Sequence, residues 1–239
     1  MRLGLLPAFC LVLACAQAAP VASEASRPII PHTDEFPHPD RPVASIVSSH
    51  SGSEPSRDAA REAELTMDLL PLAEGVIIAD IGAGDGYFTI RLARRLGEPG
   101  QVIATDVTPE YLEGLKQRVS REGLPNVSLV LGGFDDPRLP PASVDIALMV
   151  RMYHEIEQPY AFLWRLRDSL KDGGVVAVSE RDRPTQNHGI PPALLRCEFE
   201  AVGYEQVAFT QLGPGIGYVA QFTASRPAPA PGEIKSCAN

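Results

Sequence analysis

The chain has 239 residues, enough for one α/β domain with a full core and short for two. Its 30 acidic against 21 basic residues give a net charge of −9, and no block is rich in Lys or Arg, which argues against a nucleic-acid partner and for small-molecule substrates. Many of the 23 prolines lie before residue 56 or after residue 225, so the middle has the composition of an ordinary globular domain.

The first elements read as targeting and linker. Arg2 precedes an apolar run over 3–16 that is too short to span a bilayer as a mature helix, the pattern of an export signal. Two exits are open. Ala16-Gln17-Ala18 fits a small-residue cleavage site, giving a signal over 1–18, whereas Val12-Leu13-Ala14-Cys15 resembles a bacterial lipobox, with the signal ending before a lipidated Cys15. Such a lipid at Cys15 would be the only membrane attachment. Cleavage after residue 18 leaves Cys197 and Cys237, which can pair in an oxidising compartment or stay free thiols. The expected location is exported, periplasmic or lipid-anchored, or cytoplasmic if the start is misassigned. Residues 19–55 are rich in Pro and Ser and read as a linker; His32, Asp34, Glu35, His38 and Asp40 within it lack a regular ligand spacing, and no metal is expected.

The domain is expected over 56–225, with 226–239 a disordered tail. Ser56 is placed as the N-cap of a helix whose apolar face is Leu65, Leu69 and Leu72 and which roofs the site that follows. Then Ile77-Ile78-Ala79-Asp80-Ile81-Gly82-Ala83-Gly84-Asp85-Gly86-Tyr87 passes from strand to glycine loop to helix. Such a loop lets a ligand approach the backbone and meet the N–H groups of the helix start. Asp106 ends a second strand over 102–106, where a carboxylate can accept both ribose hydroxyls. A nucleoside-containing cofactor follows from the pair. Helices are expected over 87–96 and 109–121, ended by Gly97 and Gly123, then a strand over 127–131, helices over 159–170 and 191–202, and an antiparallel hairpin of 206–210 with 218–222.

A dinucleotide loop carries its third glycine five residues after the first, and here that place is Tyr87. The D-x-G-x-G-x-G pattern instead resembles motif I of the class I S-adenosylmethionine-dependent methyltransferases. The resemblance continues through Ala104-Thr105-Asp106-Val107, Ser143-Val144-Asp145-Ile146-Ala147-Leu148-Met149 and Leu170-Lys171-Asp172-Gly173-Gly174-Val175, and covers about 56–224. It implies a Rossmann-like α/β fold, a mostly parallel seven-stranded sheet flanked by helices with an antiparallel C-terminal hairpin. It also implies S-adenosylmethionine as cofactor, held by Asp80, Gly82, Ala83, Gly84, Gly86, Tyr87, Asp106 and Val107. Where many relatives have Gly-Asp after strand three, this chain has Gly132-Gly133-Phe134-Asp135-Asp136. Phe134 is the candidate to stack on the adenine or to offer it a backbone N–H, and Asp135 can replace the missing acid or simply build the turn.

Methyl transfer needs orientation, exclusion of water and sometimes a base. Arg151-Met152-Tyr153-His154-Glu155 after strand four resembles the family's Tyr-His pair beside the substrate, though many relatives have Asn or Asp where Arg151 stands. His154 is the candidate general base or a hydrogen-bonded loop histidine. Glu155 would orient it or simply begin the next turn, and Tyr153 would wall the cationic sulfur or belong to the core. Glu180 after strand five and His188 before the next helix, with Arg151, are the candidate acceptor-binding residues; a solvated loop with internal ion pairs is the alternative. Two functions stay in view: methyl transfer to a small molecule, and an exported or lipid-anchored binding protein that keeps the fold without transfer. Oligomeric state is not legible.

Overall fold

The computed structural model describes residues 31–46, 52–213 and 215–238. The export signal and Cys15 lie outside the described residues.

The elements are α1 (Glu54–Ala59), α2 (Glu62–Met67), β1 (Ile77–Ile81), α3 (Tyr87–Leu96), β2 (Gln101–Asp106), α4 (Pro109–Glu122), β3 (Val127–Leu131), β4 (Val144–Val150), α5 (Pro159–Ser169), β5 (Leu170–Glu180), α6 (Pro192–Ala201), β6 (Glu205–Gln211) and β7 (Tyr218–Thr223). They build one seven-stranded sheet in the order β3-β2-β1-β4-β5-β7-β6. The first five strands run parallel, and β7 pairs antiparallel with both β5 and β6. The expected fold class holds, including the terminal hairpin.

Parallel strands covered on both faces read as continuous apolar runs, and β4 illustrates this. Ile146 and Leu148 pack with Ala63, Met67, Phe88 and Leu92 of α2 and α3, while Ala147 and Met149 pack with Tyr160, Leu163, Leu166, Leu195 and Phe199 of α5 and α6. Alternate side chains thus face opposite helical layers. Full burial of a residue such as Leu148 is worth about 1.5–3 kcal/mol. Order 2-1-4 reverses the direction of winding between β1 and β4, so the strand ends leave a crevice there for a ligand.

Three expectations are corrected. The helix before β1 is two short helices, broken at Arg61 with φ 55°, and Ser53 rather than Ser56 is its N-cap, accepting from the Ser56 N–H at 3.4 Å. The break changes the helical phase: Ala63, Thr66, Met67 and Leu70 are buried, whereas Leu65, Leu69 and Leu72 are only half-buried. In the expected linker, 31–46 lies against the domain. Phe36 is buried and edge-on to Trp164 at 5.9 Å, Arg41 pairs with Glu198 at 2.8 Å, and the Ala44 N–H donates to His154 O at 3.2 Å. The tail expected to be disordered is fastened too. Cys197 and Cys237 form a disulfide, Ile234 is buried, and Trp164 Nε1–H donates to Pro229 O at 3.0 Å. A short bridge between Asp40 and Ala238 joins arm to tail. A few anchors hold these Pro-rich stretches in place of helical or strand periodicity, so composition alone read them as loose.

Candidate functional site

A cavity of about 340 Å³ opens at the carbonyl ends of β1, β2, β3 and β4. That is within the usual range for small-molecule sites, about 300–1,000 Å³. Its floor is the glycine loop. The Gly82 and Ala83 N–H groups both donate to Thr105 O, which ties the loop to β2. Gly84 then turns with φ 52°, and a Cβ there would meet nothing within 4 Å, so its open side faces free space at the cavity. Gly86 serves packing instead: it caps α3 at φ 84°, where a Cβ would come within 2.2 Å of Leu115. It does not line the cavity.

Asp106 ends β2 at the cavity wall. Its Oδ2 accepts from the Gly84 N–H and its Oδ1 from the Thr108 N–H, both at 2.9 Å. Each carboxylate oxygen keeps a further lone pair for a hydroxyl donor. Val107 lines the wall beside it. Phe134 also lines it and is 61% exposed, a large ring left facing solvent at the rim. Asp135 is turned away: it pairs with Arg165 at 2.6 Å and accepts from the Thr33 hydroxyl, fastening the arm rather than reaching the cavity. The expectation that it replaces an adenine-binding acid is therefore corrected.

Asp80 lies beneath the loop, fully enclosed, and accepts from the Thr89 hydroxyl at 2.6 Å. Burial raises its pKa to about 6 even though the Thr89 bond works against the rise. It supports the loop from below and does not line the cavity. Tyr87 does line it, with the Arg57 and Arg91 guanidiniums 3.7 and 3.8 Å from its ring centre and its hydroxyl donating to Asp58 at 2.8 Å. Burial, with help from that bond, pushes the phenol up to about 12.

The roof comes from α1. Glu54 and Arg57 line the cavity, and Glu54 is held by Arg118 at 2.6 Å. Glu62, buried in α2, pairs with both Arg57 at 3.0 Å and Arg151 at 2.8 Å. Arg151 itself lines the cavity after β4, at φ 53°, and burial among cations lowers its pKa to about 10 despite Glu62. The Glu54–Arg57–Glu62 set was missed because its members are scattered over short helices with no motif spacing.

After β4 the turn divides its residues. Glu155 lines the cavity. Tyr153 does not: its ring is fully buried and tilted against Phe199, with its hydroxyl donating to Glu198 at 2.8 Å, so the expected wall for the sulfur is corrected to a core residue. His154 is buried behind the turn, Nδ1 at 2.7 Å from Glu180 Oε1 and Nε2 at 3.9 Å from Glu155 Oε1. Glu180 is fully buried and His188 stands 5.5 Å ring to ring from His154; neither lines the cavity. The acceptor-binding expectation for those two gives way to a cluster one layer behind the wall.

The comparisons with known proteins fall on the same segment. A family model described as a methyltransferase domain matches residues 78–174. The tRNA U34 carboxymethyltransferase of Desulfotalea psychrophila is 29% identical over 115 residues, 48% of this chain and 35% of that protein. The protein-L-isoaspartate O-methyltransferase of Methanothrix thermoacetophila is 29% identical over 129 residues, 52% of this chain and 59% of that one. The chain thus spans less than two thirds of the length of either relative. A solved S-adenosylmethionine-dependent methyltransferase from Aquifex aeolicus matches with TM-score 0.62 and 26% identity, covering 70% of this chain and 91% of that one.

The residues present fit that cofactor. The open face of Gly84 admits a chain close to the backbone, Asp106 has acceptor capacity for hydroxyls, and the exposed Phe134 offers a stacking face. Strand order, glycine loop and matched segment are together those of a class I S-adenosylmethionine-dependent methyltransferase domain, and they imply S-adenosylmethionine as cofactor.

Proposed function

We propose that the protein transfers a methyl group from S-adenosylmethionine to a small-molecule acceptor by in-line displacement. One observation carries this: a single cavity runs past Phe134, Asp106 and Gly84 to Arg151 and Glu155, so nucleoside-binding groups and a charged wall share one space. The bound cofactor would supply an electrophilic methyl on a sulfonium. Asp106 would accept the ribose hydroxyls, Phe134 would stack on the base, and the loop 82–84 would hold the amino-acid end. Arg151 and Glu155 would orient the acceptor, and Glu155, with His154 and Glu180 behind it, gives a route for a proton the acceptor loses. The roof of Glu54 and Arg57 would exclude water. Much of such catalysis is orientation, so these contacts account for it without a covalent intermediate.

The relatives' names refer to different acceptors, a tRNA base and a protein carboxylate, so they do not choose one for this chain. Net charge −9 favours a small molecule over a polyanion. Incubation of the full chain with methyl-labelled S-adenosylmethionine and panels of small phenols, amines and carboxylic acids, beside bulk tRNA, tests the reading. Label should pass to a small molecule and not to tRNA; label in tRNA alone would contradict the acceptor class.

We also propose that the protein is exported. Support comes from the apolar start over 3–16 and from the Cys197–Cys237 disulfide, a bond that persists in oxidising compartments. Fractionation of expressing cells should find the chain outside the cytoplasm with both thiols blocked; a cytoplasmic, alkylatable form would contradict it.

A further inference from the structure

Behind the cavity wall stands a group that the methyl-transfer reading does not use in full. His154, Glu155 and His188 each present a ligand atom, and the three atoms lie within 4.8 Å of one another. The elements make this meeting: a tight turn after β4 carries His154 and Glu155, and a turn after β5 carries His188 in the left-handed region at φ 57°. Two further details concern protonation and partners. Glu180, fully buried, lies 2.7 Å from His154 Nδ1, and a carboxylate accepts, so the proton sits on Nδ1 and the Nε2 lone pair points toward Glu155 at 3.9 Å. Nδ1 of His188 is buried and has no hydrogen-bond partner.

A histidine whose far nitrogen donates to a carboxylate, leaving the near one as a lone pair, is the usual arrangement around a bound metal. Two imidazoles and one carboxylate suit zinc and its first-row neighbours, with a fourth position left open. For a tetrahedral ion with bonds of about 2.0–2.2 Å the ligand atoms stand about 3.4 Å apart. The present spacing therefore closes with side-chain rotations of roughly 1.5 Å or less. The sequence hid the set because 33 positions separate Glu155 from His188 and no ligand spacing marks them.

We propose that His154 Nε2, Glu155 and a ring nitrogen of His188 form a divalent metal site of the zinc class beside the cavity, with Glu180 fixing the His154 tautomer. The site shares Glu155 and His154 with the proposed acceptor wall, but it is argued from its own geometry and its test uses no cofactor. Full-length protein stripped with EDTA and dialysed is titrated with Zn²⁺ by calorimetry, then with Co²⁺ while visible absorption is followed. Wild type should bind one equivalent, with d–d bands from Co²⁺. His188→Ala and Glu155→Gln should each weaken Zn²⁺ binding by about 100-fold or more, and Glu180→Gln by about 10–100-fold, as loss of an outer partner does. His38→Ala, on the arm, should change nothing. Should His188→Ala fold poorly by thermal melt, Glu155→Gln, at a partly exposed position, carries the same decision. No binding by wild type, unchanged affinity in Glu155→Gln, or loss only in His38→Ala would overturn the proposal. None of these results bears on whether S-adenosylmethionine binds.

Discussion

The Gly84 N–H donates to Asp106 Oδ2 at 2.9 Å, so the loop after β1 and the acid at the end of β2 form one rigid wall. The relation accounts for two features at once. The carboxylate is held with spare lone pairs toward the cavity, and the glycine keeps its open face there.

Gly84→Ala should separate binding from stability. At φ 52° an L side chain costs about 1–2 kcal/mol, and here its methyl would project into the space beside the cavity without striking protein. The melting point should fall by a few degrees, while affinity for S-adenosylhomocysteine should fall by about tenfold or more, a loss of about 1.4 kcal/mol. Calorimetry beside thermal unfolding reads both.

Arg41→Ala should destabilise the fold although Arg41 lies in the arm. Burial works against the charge of Arg41, but Glu198 more than compensates, and the guanidinium stays charged above its ordinary range. Removal leaves Glu198 buried, with only the Tyr153 hydroxyl among its described side-chain hydrogen-bond donors, at a cost of about 3–5 kcal/mol. Arg41→Met with Glu198→Leu should recover much of the loss. Urea denaturation checks the series.

Asp80 predicts a pH dependence of stability. Its carboxyl titrates near 3.8 when unfolded and at about 6 when folded, because burial disfavours the charge. A raised carboxyl pKa means the folded state binds more protons in between, so its contribution to stability falls as pH rises from about 4 to 6 and stays low above. The shift corresponds to roughly 3 kcal/mol at most. Asp80→Asn should therefore gain on wild type by that order between pH 4 and pH 7, read as the difference between the two unfolding curves. A constant difference across that range would contradict the assignment.

The sheet was legible because each parallel strand is a short apolar run bounded by turn residues, and the cavity wall because Gly82, Gly84 and Asp106 stand at fixed offsets from strand ends. What was not legible depends on contacts distant in sequence. Tyr153 and His154 are adjacent, yet one enters the core toward Glu198 and the other meets Glu180, a division set by a single tight turn after β4. Asp135 looked like a cofactor acid because Arg165 and Thr33, its partners, lie 30 and 102 positions away. Phe134, exposed beyond the end of β3 with no core to join, lines the cavity rim.

Under the proposed function, Asp106 closes a nucleoside site over the glycine loop. Titration of full-length wild type and Asp106→Ala with S-adenosylhomocysteine tests it most directly, with the unliganded melting points as a check on folding. Wild type should bind one equivalent, and Asp106→Ala should lose about 100-fold or more, since each hydrogen bond to the charged carboxylate is worth about 1.5–3 kcal/mol. Absence of binding by wild type, or unchanged affinity in a folded Asp106→Ala, would contradict the account.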